Sequence, residues 1–289
     1  MPITDLPGYG SGLRRDELEP DKIKANLKTK RIGRKILVYN RTSSTQTIAA
    51  EYAKNKVNDG LVIFSEEQTA GRGRADNKWH GSRSDSILCS IVLTFSKLNA
   101  ELLSLTCAVA VAEAIGKSAK GEAKIKWPND IMLNGKKVAG ILLESTSNSR
   151  GVNNVIPAKA GIHNDRRTYI IGIGINCHQT KDSFPSELQS IATSIDLENN
   201  STSDRISLAK RLLASMEHWL EVAAQTSERV IEQWRNLSVQ LGHRVKLNYN
   251  RREFSGNCIG IDPEKGLILQ LDTGGVRMFD VGHTTIVKQ

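Results

Sequence analysis

Residues 126–145 read KWPNDIMLNGKKVAGILLES, and the architecture is organised around them. Pro128 restricts Trp127 to extended conformations and breaks regular structure, so AKIKW before it and DIML after it read as separate short strands. Asn134–Gly135 is a hairpin turn signal, and KVAGILLES beyond it is a third, strongly apolar strand. Asn129 and Asp130 sit at the corner, where polar side chains could face a ligand. Lys137 opens the apolar strand and points either to solvent or into a pocket. On this stretch alone solvent is favoured, because lysines are rarely buried unpaired.

Working outward, SILCSIVLTF and LVIFSEEQ upstream and TYIIGIGINC downstream also read as strands, and ELLSLTCAVAVAEAIGKSAK as a long, largely buried helix. PDKIKANLKT is a short amphipathic helix, KILVY a first strand, and SSTQTIAAEYAKNK a helix preceded by hydroxyl residues able to cap it. From Ser203 to Leu237 the pattern is helical. After about Val239 it changes to short strands separated by turn residues, a small β-barrel of roughly 50 residues appended to an α/β body. STSNSRGVNNVIPAKAGIHNDRRT separates two strands that would otherwise form a simple hairpin. Connections beyond about 12–15 residues are unusual, and VIPAKAGI resembles translated repeat elements found in frame in some bacterial genes. Residues 150–167 are therefore expected to be a tolerated insertion, with His163 outside the chemistry. Residues 1–20 read as a flexible arm.

The chain of 289 residues carries a net charge of +9, with 39% hydrophobic and 25% charged residues, an ordinary balance for a globular protein. Its apolar runs are shorter than the roughly 20 residues a membrane helix needs, and the N-terminus lacks a secretory h-region, so a cytoplasmic location and no membrane partner are expected. The four cysteines form no CxxC pair and read as reduced core thiols. A basic run from Lys22 to Arg41 fits either an anionic partner or a solvated helix face. The Walker A, HExxH and GxSxG patterns are all absent. The loop GRGRADNKWH (71–80) lies between two strands and could be a solvated loop, a nucleic-acid contact or a lid over an anionic ligand.

Taken together, SST before a helix, EEQTAGRGR…KW, KWPNDI…KKVAGIL.E, IIGIGIN, ATSI and the C-terminal barrel resemble the biotin protein ligases, from about Asp21 to the end. The resemblance implies an α+β fold: a mixed β-sheet with helices over 21–238, plus a small SH3-like barrel over 239–289. It implies that biotin and ATP are substrates, with Mg²⁺, and that a biotinyl-5′-AMP intermediate passes biotin to a lysine of the biotin carboxyl carrier protein of acetyl-CoA carboxylase. Carried over by motif, Ser44, Thr45, Gln46 and Gln68 would meet the biotin ring, although the family usually has Asn where Gln46 stands. Arg72, Gly73 and Arg74 would wrap the carboxylate and phosphate, and Lys137 would bridge the two. Arg72 and Lys137 are thus the catalytic candidates. Lys126, Asn129 and Asn176 would serve ATP, and Asp130 a Mg²⁺ ion. Trp79 would anchor the loop, which is expected to order over bound ligand. Phe184 is a candidate for stacking on adenine. Some relatives carry an N-terminal DNA-reading module, which about 20 residues cannot form, so no specific DNA partner is expected. A homodimer is left open. A lipoate or octanoate ligase-type relative and a noncatalytic biotin-binding module are the competing readings.

Overall fold

The computed structural model describes residues 16–74, 77–146, 156–157 and 167–287. The expected insertion at 150–167, including His163, therefore lies almost wholly outside the described residues, as does most of the expected arm at 1–20. The strands are β1 (Ile36–Tyr39), β2 (Val62–Ser65), β3 (Ser86–Ser96), β4 (Ala123–Lys126), β5 (Asp130–Leu133), β6 (Lys136–Thr146), the two-residue β7 (Ile156–Pro157) and β8 (Arg167–Asn176). They form one mixed sheet in the order β1-β2-β3-β8-β6-β5-β4, with β7 paired to β6. Among the described strands only β1 and β2 pair in parallel; β3, β8, β6, β5 and β4 each pair antiparallel with their neighbours. The hairpin between β5 and β6 turns at Asn134 and Gly135, both with positive φ (49° and 84°), the conformation that makes Asn-Gly a preferred two-residue turn.

Alternation along the strands gives the sheet two different faces. Val62, Phe64, Cys89, Ile91, Ile171 and Ile173 pack under α3 (Ala100–Gly116), α5 (Arg205–Gln225) and α6 (Ser227–Leu237) in the main core. Ile63, Val92 and Ile170 face the other way and are covered by α2 (Thr45–Ala53) through Ala49 and Ala53. Because α2 spans only nine residues, it covers one end of that face and leaves the rest to loops.

The first helix, α1, is shorter than the sequence suggests, Pro20–Lys24 rather than continuing to residue 29. Beyond it the chain turns at Asn26, with positive φ, and the backbone N–H groups of Lys30, Arg31 and Ile32 converge on the Glu217 carboxylate. Several cations of the basic run are already engaged: Arg31 with Asp59, Lys22 with Glu19 and Arg41 with Glu67. The last residues of the expected arm are fixed as well. Asp16 is ion-paired with Arg205, and the Leu18 N–H donates to Glu66 at 2.7 Å.

The C-terminal segment forms a second, five-stranded antiparallel sheet. Its strands are β9 (Arg244–Tyr249), β10 (Arg252–Asp262), β11 (Gly266–Leu271), β12 (Val276–Phe279) and β13 (Thr284–Ile286), in the order β12-β11-β10-β9-β13. It wraps a core of Val245, Leu247, Cys258, Leu267, Leu269 and Phe279. A register shift between Cys258 and Gly260 supplies the local bend that small barrels need. The chain is thus α+β with an SH3-like C-terminal sheet, as expected.

Candidate active site

On the α2 face, three strands change character together where α2 ends. Along β8 that face reads Ile170, Gly172, Gly174; along β6 it reads Glu144, Leu142, Gly140; along β3 it reads Val92, Ser90, Leu88. The registers place Ser90, Gly172 and Leu142 in one row, and Leu88, Gly174 and Gly140 in the next. Gly172, Gly174 and Gly140 thus form a strip without Cβ atoms in the middle of a sheet. A Cβ on Gly174 would come within 2.5 Å of the Trp79 ring, and one on Gly172 within 2.8 Å of the Gln46 carboxamide. The glycines of GIGIN thus serve close approach of other groups to the sheet.

The loop after β2 folds over this strip. Its two arms bond to each other: Trp79 N–H donates to Gly71 O at 3.0 Å, and Gly73 N–H to Asn77 O at 2.7 Å. A cleft of about 870 Å³ lies beneath and beside it, lined by Gln68, Gly71–Arg74, Trp79, Asn129, Leu142, Glu144 and residues 281–285 of the C-terminal sheet. The KWPND corner is held from below. Gln240 accepts from Trp127 N–H at 2.7 Å and donates to Trp127 O at 2.9 Å, and the Trp127–Pro128 peptide is cis.

At one end of the site the side chains are neutral and polar. Thr45 N–H donates to Gln68 Oε1 at 2.7 Å, and Ser90 Oγ is 2.8 Å from both Thr45 Oγ1 and Gln46 Oε1. Ser44 occupies the N-cap position of α2, but its hydroxyl makes no capping bond and is buried without a partner. A buried orphan hydroxyl costs free energy unless something else completes it, so this end of the strip has the character of a binding site for a polar ligand.

At the other end the site is cationic. Lys137 Nζ is 2.6 Å from Asp130 and 5.9 Å from the Trp79 ring centre. A register shift leaves Val138 as an extra residue of β6 opposite the Ile131–Met132 step, and this bulge aims Lys137. Arg74 donates to the Asn129 side chain at 3.3 Å and to two carbonyls of the C-terminal sheet, Val281 O and Thr284 O. Burial works to lower the Arg74 pKa, opposed by the charges of Asp130, Glu101 and Asp280. Arg72 stands nearer the neutral end, 3.3 Å from Glu144, the carboxylate that also accepts from Gln46.

The structure therefore brings together Ser44, Thr45, Gln46, Gln68, Arg72, Gly73, Arg74, Asn129, Asp130 and Lys137 around one strip. Of these, Gln68, Arg72, Gly73, Arg74 and Asn129 line the cleft itself, while Ser44, Thr45 and Gln46 on the α2 side and Asp130 and Lys137 on the β5–β6 hairpin flank it. Lys126 and Asn176 are outside the lining too. The Asn176 amide donates to Thr193 O at 3.0 Å, inside the fold. Phe184 is buried outside the cleft, and the aromatic ring that stands in it is Trp79. Asp130 is a single carboxylate already paired with Lys137. Mg²⁺ commonly takes one or two carboxylates together with substrate phosphates, so Asp130 fits as a partial ligand only. Among the described residues no three His, Cys, Asp or Glu side chains form a metal-holding group.

Sequence reasoning missed Glu144, Ser90 and Glu101. Glu144 was legible as the only acid of the apolar strand KVAGILLES. Glu101 looked like an ordinary first-turn acid of α3. In the fold it is buried, its Oε1 accepts Val281 N–H at 2.6 Å and its Oε2 has no partner. Burial, with the Asp280 charge adding, pushes its pKa up to about 8 despite the Val281 hydrogen bond and the Arg74 charge.

A mixed sheet with a glycine strip under a basic loop and an SH3-like appendage defines the class as a biotin/lipoate ligase-type fold. Residues 38–159 match the family described as Biotin/lipoate A/B protein ligase family. The "Bifunctional ligase/repressor BirA" of Bacillus spizizenii is 32% identical over 270 residues, covering 92% of this chain and 79% of that protein. The "Biotin--[acetyl-CoA-carboxylase] ligase" of Mycobacterium tuberculosis is 27% identical over 285 residues, 94% and 95% of the two chains. Among solved structures, the biotin protein ligase from Aquifex aeolicus in complex with biotin and ATP superimposes with a TM-score of 0.72 over 89% of this chain and 100% of that one, at 23% identity. The chain belongs to the biotin/lipoate A/B protein ligase family and is a ligase enzyme. Among the described residues no helix is long and apolar enough to cross a membrane.

Proposed function

We propose that this chain is an ATP-dependent biotin protein ligase acting in the cytoplasm. The biotin carboxylate oxygen attacks the α-phosphorus of ATP, pyrophosphate leaves, and biotinyl-5′-AMP is held in the cleft. The amine of a lysine on the biotin carboxyl carrier protein of acetyl-CoA carboxylase then attacks the acyl carbon, and AMP leaves as the amine loses its proton to solvent. The observation that carries this reading is the polarity of a single cleft together with the side chains that flank it. Neutral donors and acceptors at Ser44, Thr45 and Gln68 suit the ring of biotin, and cations at Arg72, Arg74 and Lys137 suit a carboxylate meeting a phosphate.

In-line displacement at phosphorus is mostly positioning and charge stabilisation, which these cations supply. Mg²⁺ bound with the nucleotide would neutralise phosphate charge, with Asp130 as its protein ligand. The contacts of Arg74 with Val281 and Thr284 make the C-terminal sheet part of the ATP half of the site. The 71–80 loop would close over the adenylate and keep water from the mixed anhydride.

The test is to incubate the protein with biotin, ATP labelled at the α-phosphate and a carrier domain. Label is expected in biotinyl-adenylate, and the carrier is expected to gain the mass of one biotin only when all components are present. Adenylate formed with lipoate or octanoate in place of biotin would move the chain to the lipoate ligase-type reading. Biotin bound without any adenylate would leave only a binding module. Protease cleavage within 71–80 is expected to slow when biotin is added, and equal cleavage with and without it would remove the lid.

A further inference from the structure

The strip wall holds a chain of hydrogen bonds whose direction is fixed by its last member. Gln46 Nε2 lies 2.9 Å from Glu144 Oε2 and 3.5 Å from Leu142 O. A carboxylate and a carbonyl can only accept, so the Gln46 amide must turn its NH₂ toward them and its Oε1 toward Ser90. Gln46 Oε1 also only accepts, so the single Ser90 proton at 2.8 Å belongs to it. The other 2.8 Å contact, between Ser90 Oγ and Thr45 Oγ1, then requires Thr45 to donate. The Thr45 hydroxyl, 3.1 Å from Gln68 Oε1, has no proton left for that oxygen, which takes the Thr45 N–H instead. Protons thus all run one way, Thr45 to Ser90 to Gln46 to Glu144. Thr45 is left with lone pairs for a ligand, beside the unpartnered Ser44 hydroxyl.

We propose that Glu144 is a positioning and specificity residue for the biotin end of the cleft. Through Gln46 and Ser90 it sets Thr45 as an acceptor for a ligand N–H, and through Arg72, at 3.3 Å, it holds the basic loop against the strip. This rests on the biotin reading of the site. Glu144 is buried, which raises its pKa, opposed by the charge of Arg72 and the Gln46 hydrogen bond. Leu142 O faces the same Gln46 nitrogen, so the polarity of the chain is the same whichever protonation state Glu144 takes.

The experiment is a double-mutant cycle on biotin affinity, measured by calorimetry on the full chain with ATP affinity as the internal control. Glu144→Ala and Ser90→Ala should each weaken biotin binding by roughly tenfold, the scale of one charge-assisted hydrogen bond. The double variant should be weaker than either by less than threefold, because each single change already breaks the same chain. ATP affinity should move less than twofold in Ser90→Ala, which leaves the Glu144–Arg72 contact in place. Glu144→Gln keeps an acceptor for Gln46 and should recover most of the biotin affinity. Additive losses in the double variant, equal losses for ATP and biotin in Ser90→Ala, or Glu144→Gln no better than Glu144→Ala would each overturn the proposal. Failure of the unaltered protein to bind biotin would instead overturn the functional reading on which it rests.

Discussion

Glu66 and Gln68 lie two residues apart just beyond β2, and they enter two buried polar clusters built on opposite terms. Around Glu66 the charged groups are all paired, although Ser203 Oγ and Gln179 Oε1 nearby are buried without partners. Arg205 makes five hydrogen bonds, to both carboxylate oxygens of Glu66, to Ser86 O, to Asp16 O and to the Asp16 carboxylate. His178 bridges Asp16 at 2.6 Å and Asp196 at 2.7 Å. Around Gln68 and the glycine strip, by contrast, Ser44 Oγ and Trp79 Nε1 are buried without partners. The hollow beside the Asp16–His178 cluster is as large as the cleft, about 910 Å³ against about 870 Å³, so size does not separate them. The first cluster has its charges neutralised by the fold, and the strip sets unpartnered neutral groups beside cations that a ligand can engage. Substitutions in the first should therefore cost stability, and substitutions in the second should cost binding and rate.

The largest effect should come from Arg205→Leu, which strands Glu66 as a buried charge and leaves Asp16 with His178 alone. A loss of about 3–5 kcal/mol in urea unfolding is expected, with biotin affinity of the folded fraction unchanged. A loss below 1 kcal/mol would show that the cluster is not a stability element. Next is Lys137→Ala, predicted to slow adenylation, read as pyrophosphate release, by about 10²–10³-fold. Its unfolding midpoint should barely shift, since the side chain is about a third exposed; a rate within threefold of the unaltered protein would remove Lys137 from the chemistry.

Two changes sharpen the comparison through pH. The raised pKa of Glu101 means the folded chain holds a proton there that the unfolded chain has lost. Stability from that group is full below the ordinary carboxylate pKa and falls as pH rises toward about 8. Glu101→Gln should remove this fall, leaving the variant relatively more stable at pH 9 by on the order of 2 kcal/mol. For His178, burial lowers the pKa, but the hydrogen bonds and charges of Asp16 and Asp196 outweigh it and raise the balance above the ordinary value. Its contribution is full below about pH 6.5 and is lost as pH rises through the higher folded value. His178→Asn should flatten that part of the profile, and an unchanged profile would mean the imidazole is neutral in the fold.

The smallest stability effect should be that of Ser44→Ala. Removing an N-cap serine ordinarily costs about 1 kcal/mol. Here the hydroxyl caps nothing, so thermal stability should hold or rise while biotin affinity drops. A fall in the melting temperature with unchanged affinity would return Ser44 to a purely structural role.

The sequence by itself determined the order of strands and helices, the Asn134–Gly135 hairpin, the switch to a small barrel after Val239 and the linear motifs that hold the cations. These are local matters of period, turn chemistry and spacing, so they could be read without the fold. What only the tertiary structure decided is which polar groups remain unpaired. Asn176 in GIGIN is bonded to Thr193, and Gln46 to Ser90 and Glu144, because their partners lie 17 to 98 residues away in sequence. Glu144 joined the site because β6 and β8 pair so that its side lies over the glycine strip, and Glu101 because the C-terminal sheet docks its Val281 N–H on α3. Register and docking are global, and a buried hydroxyl or carboxylate shows its hydrogen-bonding balance only after every neighbour has been placed.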